Sequence, residues 1–184
     1  MTPHASTLDQ ITRDFREAFA TLRVDELNWR PAANSWSIAQ HLDHLIRINR
    51  TYFPILDQLH AGTYQVPFYG KWGWYHRMMG HFILQSAKPE SKKKIRTFPI
   101  WEPRQSQIAG DIVERFAAHQ EELKERMAAA RELVERGALV ASPANRAIVY
   151  SLGTAFEIIV EHEKRHLLHA RAVKAGLPVG PGAE

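Results

Sequence analysis

The chain has 184 residues, which is enough for one domain with a sizeable core, and its 45% hydrophobic and 24% charged residues are ordinary for a soluble globular protein. No cysteine is present, which excludes disulfides, thiolate ligands and a cysteine nucleophile, so any metal site must draw on His, Asp or Glu. The net charge of +4 and pI near 9.5 are mildly basic, and the basic residues are spread along the chain except for the run 91–96, which reads as a solvated loop. No apolar run is long enough to span a membrane, and the first fifteen residues lack a signal-peptide layout. The expectation is a cytoplasmic protein forming a single domain over 1–184.

In chain order, Ser6 reads as the N-cap of a first amphipathic helix over roughly 6–24, with Leu8, Ile11, Phe15, Phe19 and Leu22 on one face. The segment 28–36 breaks the pattern, and its two tryptophans suggest a loop pinned to the end of a helical bundle. Ser37 and Gln40 form a capping box, which opens a second helix over 37–59 that Pro54 should bend or divide. His41 and His44 both lie toward one flank of its apolar face. Periodicity alone weakly favours His41 as the inward residue.

Residues 61–103 are rich in glycine, proline and large aromatics, with a short helix expected around 73–86. Such a connection can be a packed lid, a substrate-facing lid or a dimer contact, and packing over the core is favoured. Segment 97–103 looks extended. A third helix over 104–136 opens near Ser106, carries His119 on its apolar stripe as a core histidine, and stops at Gly137. The run 147–150 is too short to demand a sheet. Thr154 and Glu157 then suggest a capping box opening a fourth helix over 154–175. The count is an all-α four-helix bundle with a long aromatic-rich connection between helices two and three.

The fourth helix holds His162, His166 and His169 at spacings of four and three, so the imidazoles share a stripe. An i, i+4 histidine pair on a helix can grip one metal ion. Read literally, His162-Glu163-Lys164-Arg165-His166 also matches the H-E-x-x-H of zinc peptidases, in which Glu163 would be the general base. The further ligand and fold context of those enzymes are not evident here.

Residues 36–45, Trp-Ser-Ile-Ala-Gln-His-Leu-Asp-His-Leu, resemble the start of helix two in the DinB/YfiT-like family, and 162–166 resemble that family's segment in the last core helix. The stretches 98–103 and 154–157 are similar to family patterns as well. The resemblance covers essentially the whole chain. It implies a four-helix bundle, often a homodimer, with a divalent metal held by His44 from helix two and by His162 and His166 from the last helix. Three neutral imidazoles leave Zn, Ni or Fe(II) at least one open position, where a water or thiol is activated. The resemblance therefore implies an enzyme acting on a small-molecule substrate, a thiol S-transferase using a low-molecular-weight thiol. A metal-dependent hydrolase and a non-catalytic, stress-associated metal-binding module are the alternatives. Glu163 and His169 are the weak catalytic candidates beside the ligands, and Arg47, Arg50 and Arg165 are candidates for meeting an anionic substrate. The absence of a recognition-helix motif or concentrated basic face argues against nucleic acid.

Overall fold

The computed structural model describes residues 4–91, 98–103 and 107–178. Most of the basic run at 91–96 and the Ser106 start of helix three fall outside them. The elements are α1 (Ala5–Phe19), α2 (Val24–Asn28), α3 (Ile38–Arg50), α4 (Phe53–His60), α5 (Gly73–Ala87), α6 (Ile112–Ala129), α7 (Arg131–Glu135), β1 (Leu139–Ser142), β2 (Asn145–Ser151) and α8 (Leu152–Ala175). The chain is thus mostly helical, with one small sheet. Helix α1 packs on α6 and α8, α3 packs on the same two, and α5 lies against α8 and β2. The apolar stripes meet in one core. Leu8, Phe15 and Phe19 of α1, Ile38, Leu42 and Leu45 of α3, and Phe116 and Leu123 of α6 are all buried. The Phe15 and Phe116 rings lie 4.7 Å apart, a contact that couples α1 to α6.

Several boundaries differ from the expected ones, each for a local reason. The first helix begins two residues earlier than a Ser6 cap allows, because the His4 carbonyl accepts from the Leu8 amide at 2.9 Å. It stops at Phe19, and the chain restarts as α2, where the Glu26 carboxylate accepts from the Arg23 amide at 2.7 Å. Buried Asn28 then donates to the Val24 and Ile108 carbonyls and accepts from the Ile108 amide, tying the loop before α6 to the end of α2. The Ser37–Gln40 capping box forms as read, with bonds of 3.2 and 3.0 Å. The second helix is divided rather than bent. Pro54 sits in the first turn of α4, where its missing N–H costs no hydrogen bond.

The third helix is also split, at Ala130, and Gly137 ends it with a φ of 70°, which favours glycine. Around 97–103 the expected extended chain is instead a 3₁₀ turn at Pro99–Trp101, because proline's fixed φ suits a first helical position.

The expectation of no strand between helices three and four is corrected. β1 and β2 form an antiparallel hairpin with Val140 opposite Tyr150 and Ala141 opposite Val149. The short run at 147–150 finds a partner that satisfies its backbone, and the aromatic connection supports the other side. Tyr69 and Tyr75 donate to the Arg146 and Ala147 carbonyls, and Tyr64 accepts from the Ala141 amide. A Cβ on Gly70 would stand 2.8 Å from both Val149 methyls, so the aromatic segment reaches the hairpin this closely only with glycine there. The last helix starts at Leu152, not Thr154. Ser151, the last residue of β2, caps it by accepting from the Thr154 amide at 3.1 Å. Strand and helix therefore join without a loop, which fixes where the α8 histidines face.

Residues 61–103 are neither wholly packed nor wholly open. The inner side of α5 presents Ile83, Ser86 and Ala87 to a cavity, while Trp74, Met78 and Phe82, four residues apart, stay exposed beside Phe68 and Trp72. Among the described residues no helix is long and apolar enough to cross a membrane.

Candidate metal centre

The packing of α3 against α8 brings five imidazoles together. His44, His162 and His166 can each offer a nitrogen so that all three lie within 4.8 Å of one another. His41, His166 and His169 form a second such group that shares His166. On α3, His41 and His44 are three residues apart and both face α8. Periodicity and the family resemblance had chosen differently between them, and both are buried, at 7% and 1% exposure. His166 is also buried, and His169 is exposed at the rim.

The hydrogen bonds separate the roles of the two α3 residues. His44 Nδ1 lies 2.8 Å from the Trp101 carbonyl oxygen. A carbonyl only accepts, so Nδ1 carries the proton and Nε2 is a bare lone pair. That Nε2 is buried and has no partner. A metal-ligating histidine characteristically donates its other N–H to a carbonyl in this way. His41 instead places Nδ1 2.8 Å from Nδ1 of His166, while His166 Nε2 lies 3.0 Å from Nε2 of His162. Two nitrogens at ~2.0–2.1 Å from one tetrahedral ion stand about 3.3 Å apart, so the His162–His166 spacing is close to that of a shared ion. With both Nε2 lone pairs facing such an ion, the His162–His166 contact needs no proton between its nitrogens, and His166 Nδ1 carries the proton it donates to His41.

Burial holds the rings in the form a metal requires. Desolvation pushes His44 down to about 4, against a smaller opposing effect of the Trp101 carbonyl, and His41 down to about 3. Burial also places His162 and His166 well below the ordinary histidine range. All four are neutral at pH 7, with lone pairs available. Trp36 stacks over the group, with its ring centroid 4.9 Å from His44, 5.4 Å from His41 and 5.9 Å from His166.

The histidines open on a cavity of about 340 Å³ between α3, α5, α8 and the hairpin. Tyr52 and Tyr150 also line it, their hydroxyls 2.7 Å apart. Arg165 lines it too and donates to the Ser86 carbonyl at 2.6 Å. Arg47 pairs with Asp43 at 3.6 Å and donates to the Glu102 carbonyl, and Arg50 is exposed.

The catalytic candidates are placed differently from each other. His169 stands at the cavity with its ring 5.9 Å from those of His41 and His166. Glu163 is fully buried and does not line the cavity. Its carboxylate accepts from Asn49 at 2.7 Å and from Gln120 at 2.8 Å. Burial pushes it up to about 7 against the effect of these two bonds. His119 is a core histidine as expected, stacked on Phe53, but neither of its ring nitrogens has a partner. His76 bonds to the Gly70 carbonyl, away from the cluster.

Three participants escaped the sequence reading. Trp36 is the residue before the Ser37 cap and packs on His41, four positions into the helix, which is the geometry of a hydrophobic staple. That signal was present in the capping box. The Trp101 carbonyl and the Tyr52–Tyr150 pair had no local signal, because each joins segments far apart in sequence.

Fold and site together define a mostly helical protein with a buried histidine cluster able to hold a metal ion. The sequence matches the family model of the DinB superfamily over residues 7–170, and the chain belongs to that family. No curated protein and no solved structure matches it significantly.

Proposed function

We propose that the protein is a metal-dependent enzyme in which His44, His162 and His166 hold one divalent ion, Zn, Ni or Fe(II), beside a substrate cavity. In this reading α1, α3, α6 and α8 are the family's four-helix bundle. The observation that carries it is the bare, buried Nε2 of His44, held toward two further imidazoles by the Trp101 carbonyl. An orphaned acceptor of this kind costs free energy unless something occupies it. A bound divalent ion supplies Lewis acidity that lowers the pKa of a thiol or a water near neutral pH.

The protein's own residues do the rest. The three ligands bring no charge, so the ion stays cationic. Trp36 covers one side and excludes water there. His41 and His169 stand where a proton can be passed toward the rim. Glu163 is engaged with Asn49 and Gln120, which removes support for a peptidase-like base and favours a low-molecular-weight thiol over hydrolysis. A cavity of this size favours an enzyme over a non-catalytic module.

The test is a panel of electrophiles offered to zinc-loaded protein with and without glutathione, mycothiol or bacillithiol. Turnover that requires a thiol is expected. Thiol-independent turnover would move the assignment to a hydrolase, and silence in both arms to the binding module.

The exposed Trp74, Met78 and Phe82 stripe of α5 supports assembly as a homodimer through that face. Sedimentation should give twice the chain mass. A monomer at micromolar concentration would contradict it.

A further inference from the structure

We propose, resting on the metal-bearing reading of the site, that its substrate is an apolar, non-cationic small molecule that enters with a polar or anionic head toward the histidines. The walls are the ground for this. Ile48, Ile83, Phe98, Ile148, Ile158 and Ile159 face one cavity, from α3, α5, the turn before α6, β2 and α8. At about 340 Å³ it lies at the small end of the range for ligand sites. Its polar groups are the imidazoles, Ser86, the Asn49 amide, and the hydroxyls of Tyr52, Tyr150 and Ser142, with Tyr52 and Tyr150 bonded to each other. Among the described residues no Asp or Glu lines it, and the one charged side chain that does is Arg165. A ligand ammonium buried here would meet no carboxylate and would lose its hydration uncompensated. A carboxylate, thiolate or hydroxamate head suffers no such penalty beside a metal ion and a guanidinium. An apolar body gains from each methylene moved out of water.

The walls also set a length limit. Tyr52 and Tyr150 are almost fully buried, and their hydroxyls bond to each other. That part of the wall is closed by side chains rather than open to solvent, and a chain that outgrows the cavity must turn back through the mouth.

The probes are straight-chain alkyl hydroxamic acids from two to ten carbons, titrated calorimetrically into zinc-loaded and metal-free protein. An ω-amino analogue of a mid-length member is included. Affinity should rise about fourfold per added methylene, then level off once the cavity is full. The ω-amino analogue should bind at least tenfold more weakly than its uncharged counterpart. Ile48→Trp, on the half-buried part of the wall, should move the levelling point to a shorter chain while melting temperature and zinc content stay at wild-type values.

Affinity independent of chain length, or an ammonium tail bound as well as a methyl one, overturns the proposal. The wild-type series decides this even if Ile48→Trp fails to fold. The two readings fail separately. If zinc makes no difference to any member but the methylene increments persist, the metal reading fails and the ligand class stands. If zinc strengthens every member equally and the increments are missing, only the ligand class fails.

Discussion

Replacing His44 with alanine is expected to abolish stoichiometric zinc binding, as are the same changes at His162 and His166, whereas His41→Ala should keep one zinc per chain. The difference follows from the hydrogen bonds. His44 points a bare Nε2 into the cluster, and removing it leaves only two of the three ligands, too few to hold the ion tightly at that position. His41 reaches the site through His166, which it orients by a 2.8 Å ring contact. Loss of such an outer partner typically weakens a metal site by about 10–100-fold without emptying it. Competitive titration against a chromophoric chelator, with metal content by mass spectrometry, reads both effects. Loss of zinc in His41→Ala but not in His44→Ala would reverse the assignment by one turn of α3.

The second large effect concerns Glu163. Glu163→Ala should destabilise the metal-free protein by about 3–5 kcal/mol, because it leaves the Asn49 and Gln120 amides buried and unpaired beside a new void. Glu163→Gln should cost far less. Asn49 Oδ1 and Gln120 Oε1 both lack partners, so turning one amide over supplies an acceptor for an N–H at position 163, or for the proton of the neutral acid.

The pH dependence distinguishes the two replacements from a generic core defect. The folded pKa of Glu163 is about 7, above the ordinary 4.5. Between those values the unfolded chain has released the proton and the folded chain still holds it. Stability contributed by this group is thus fully present below about 4.5 and is lost as pH rises toward 7. The expected loss is about 3 kcal/mol across the window. His41 and His44, whose folded pKa values are depressed, act in the opposite sense below 6.5. The wild-type minus Glu163→Gln difference in urea unfolding isolates the glutamate. A difference that stays flat from pH 4.5 to 7 would show that Glu163 is ionised throughout.

Helix existence was legible because each apolar stripe repeats at helical spacing. Leu8, Ile11, Phe15 and Phe19 are buried as their spacing requires, and the Ser37–Gln40 box opens α3 where it was read. Helix ends were less legible. Ser6 and Thr154 are plausible caps, but His4 and Ser151 precede them, and the chain uses the earlier position in both cases. The hairpin was missed because four apolar residues specify a strand only when a partner exists, and that partner was hidden in residues 139–142, between Gly137 and Pro143.

In the site, the stripe on α8 was legible from residue spacing alone. The choice between His41 and His44 was not, because they are 60° apart on the helix wheel and both turn inward. What separates them is a carbonyl 57 residues away, on a 3₁₀ turn. Glu163, beside two ligands in sequence, points into the core instead. Neighbouring positions on a helix differ by 100°, so adjacency in an H-E-x-x-H string does not place the glutamate at the metal.

The central claim is that three imidazoles from α3 and α8 hold one metal ion, and X-ray absorption spectroscopy of the zinc-loaded protein tests it most directly. The account predicts one zinc per chain, three imidazole nitrogens at ~2.0–2.1 Å, and at least one further light-atom ligand exchangeable for added thiol sulfur. A shell without imidazole scattering, or one unchanged in His44→Ala, would contradict it.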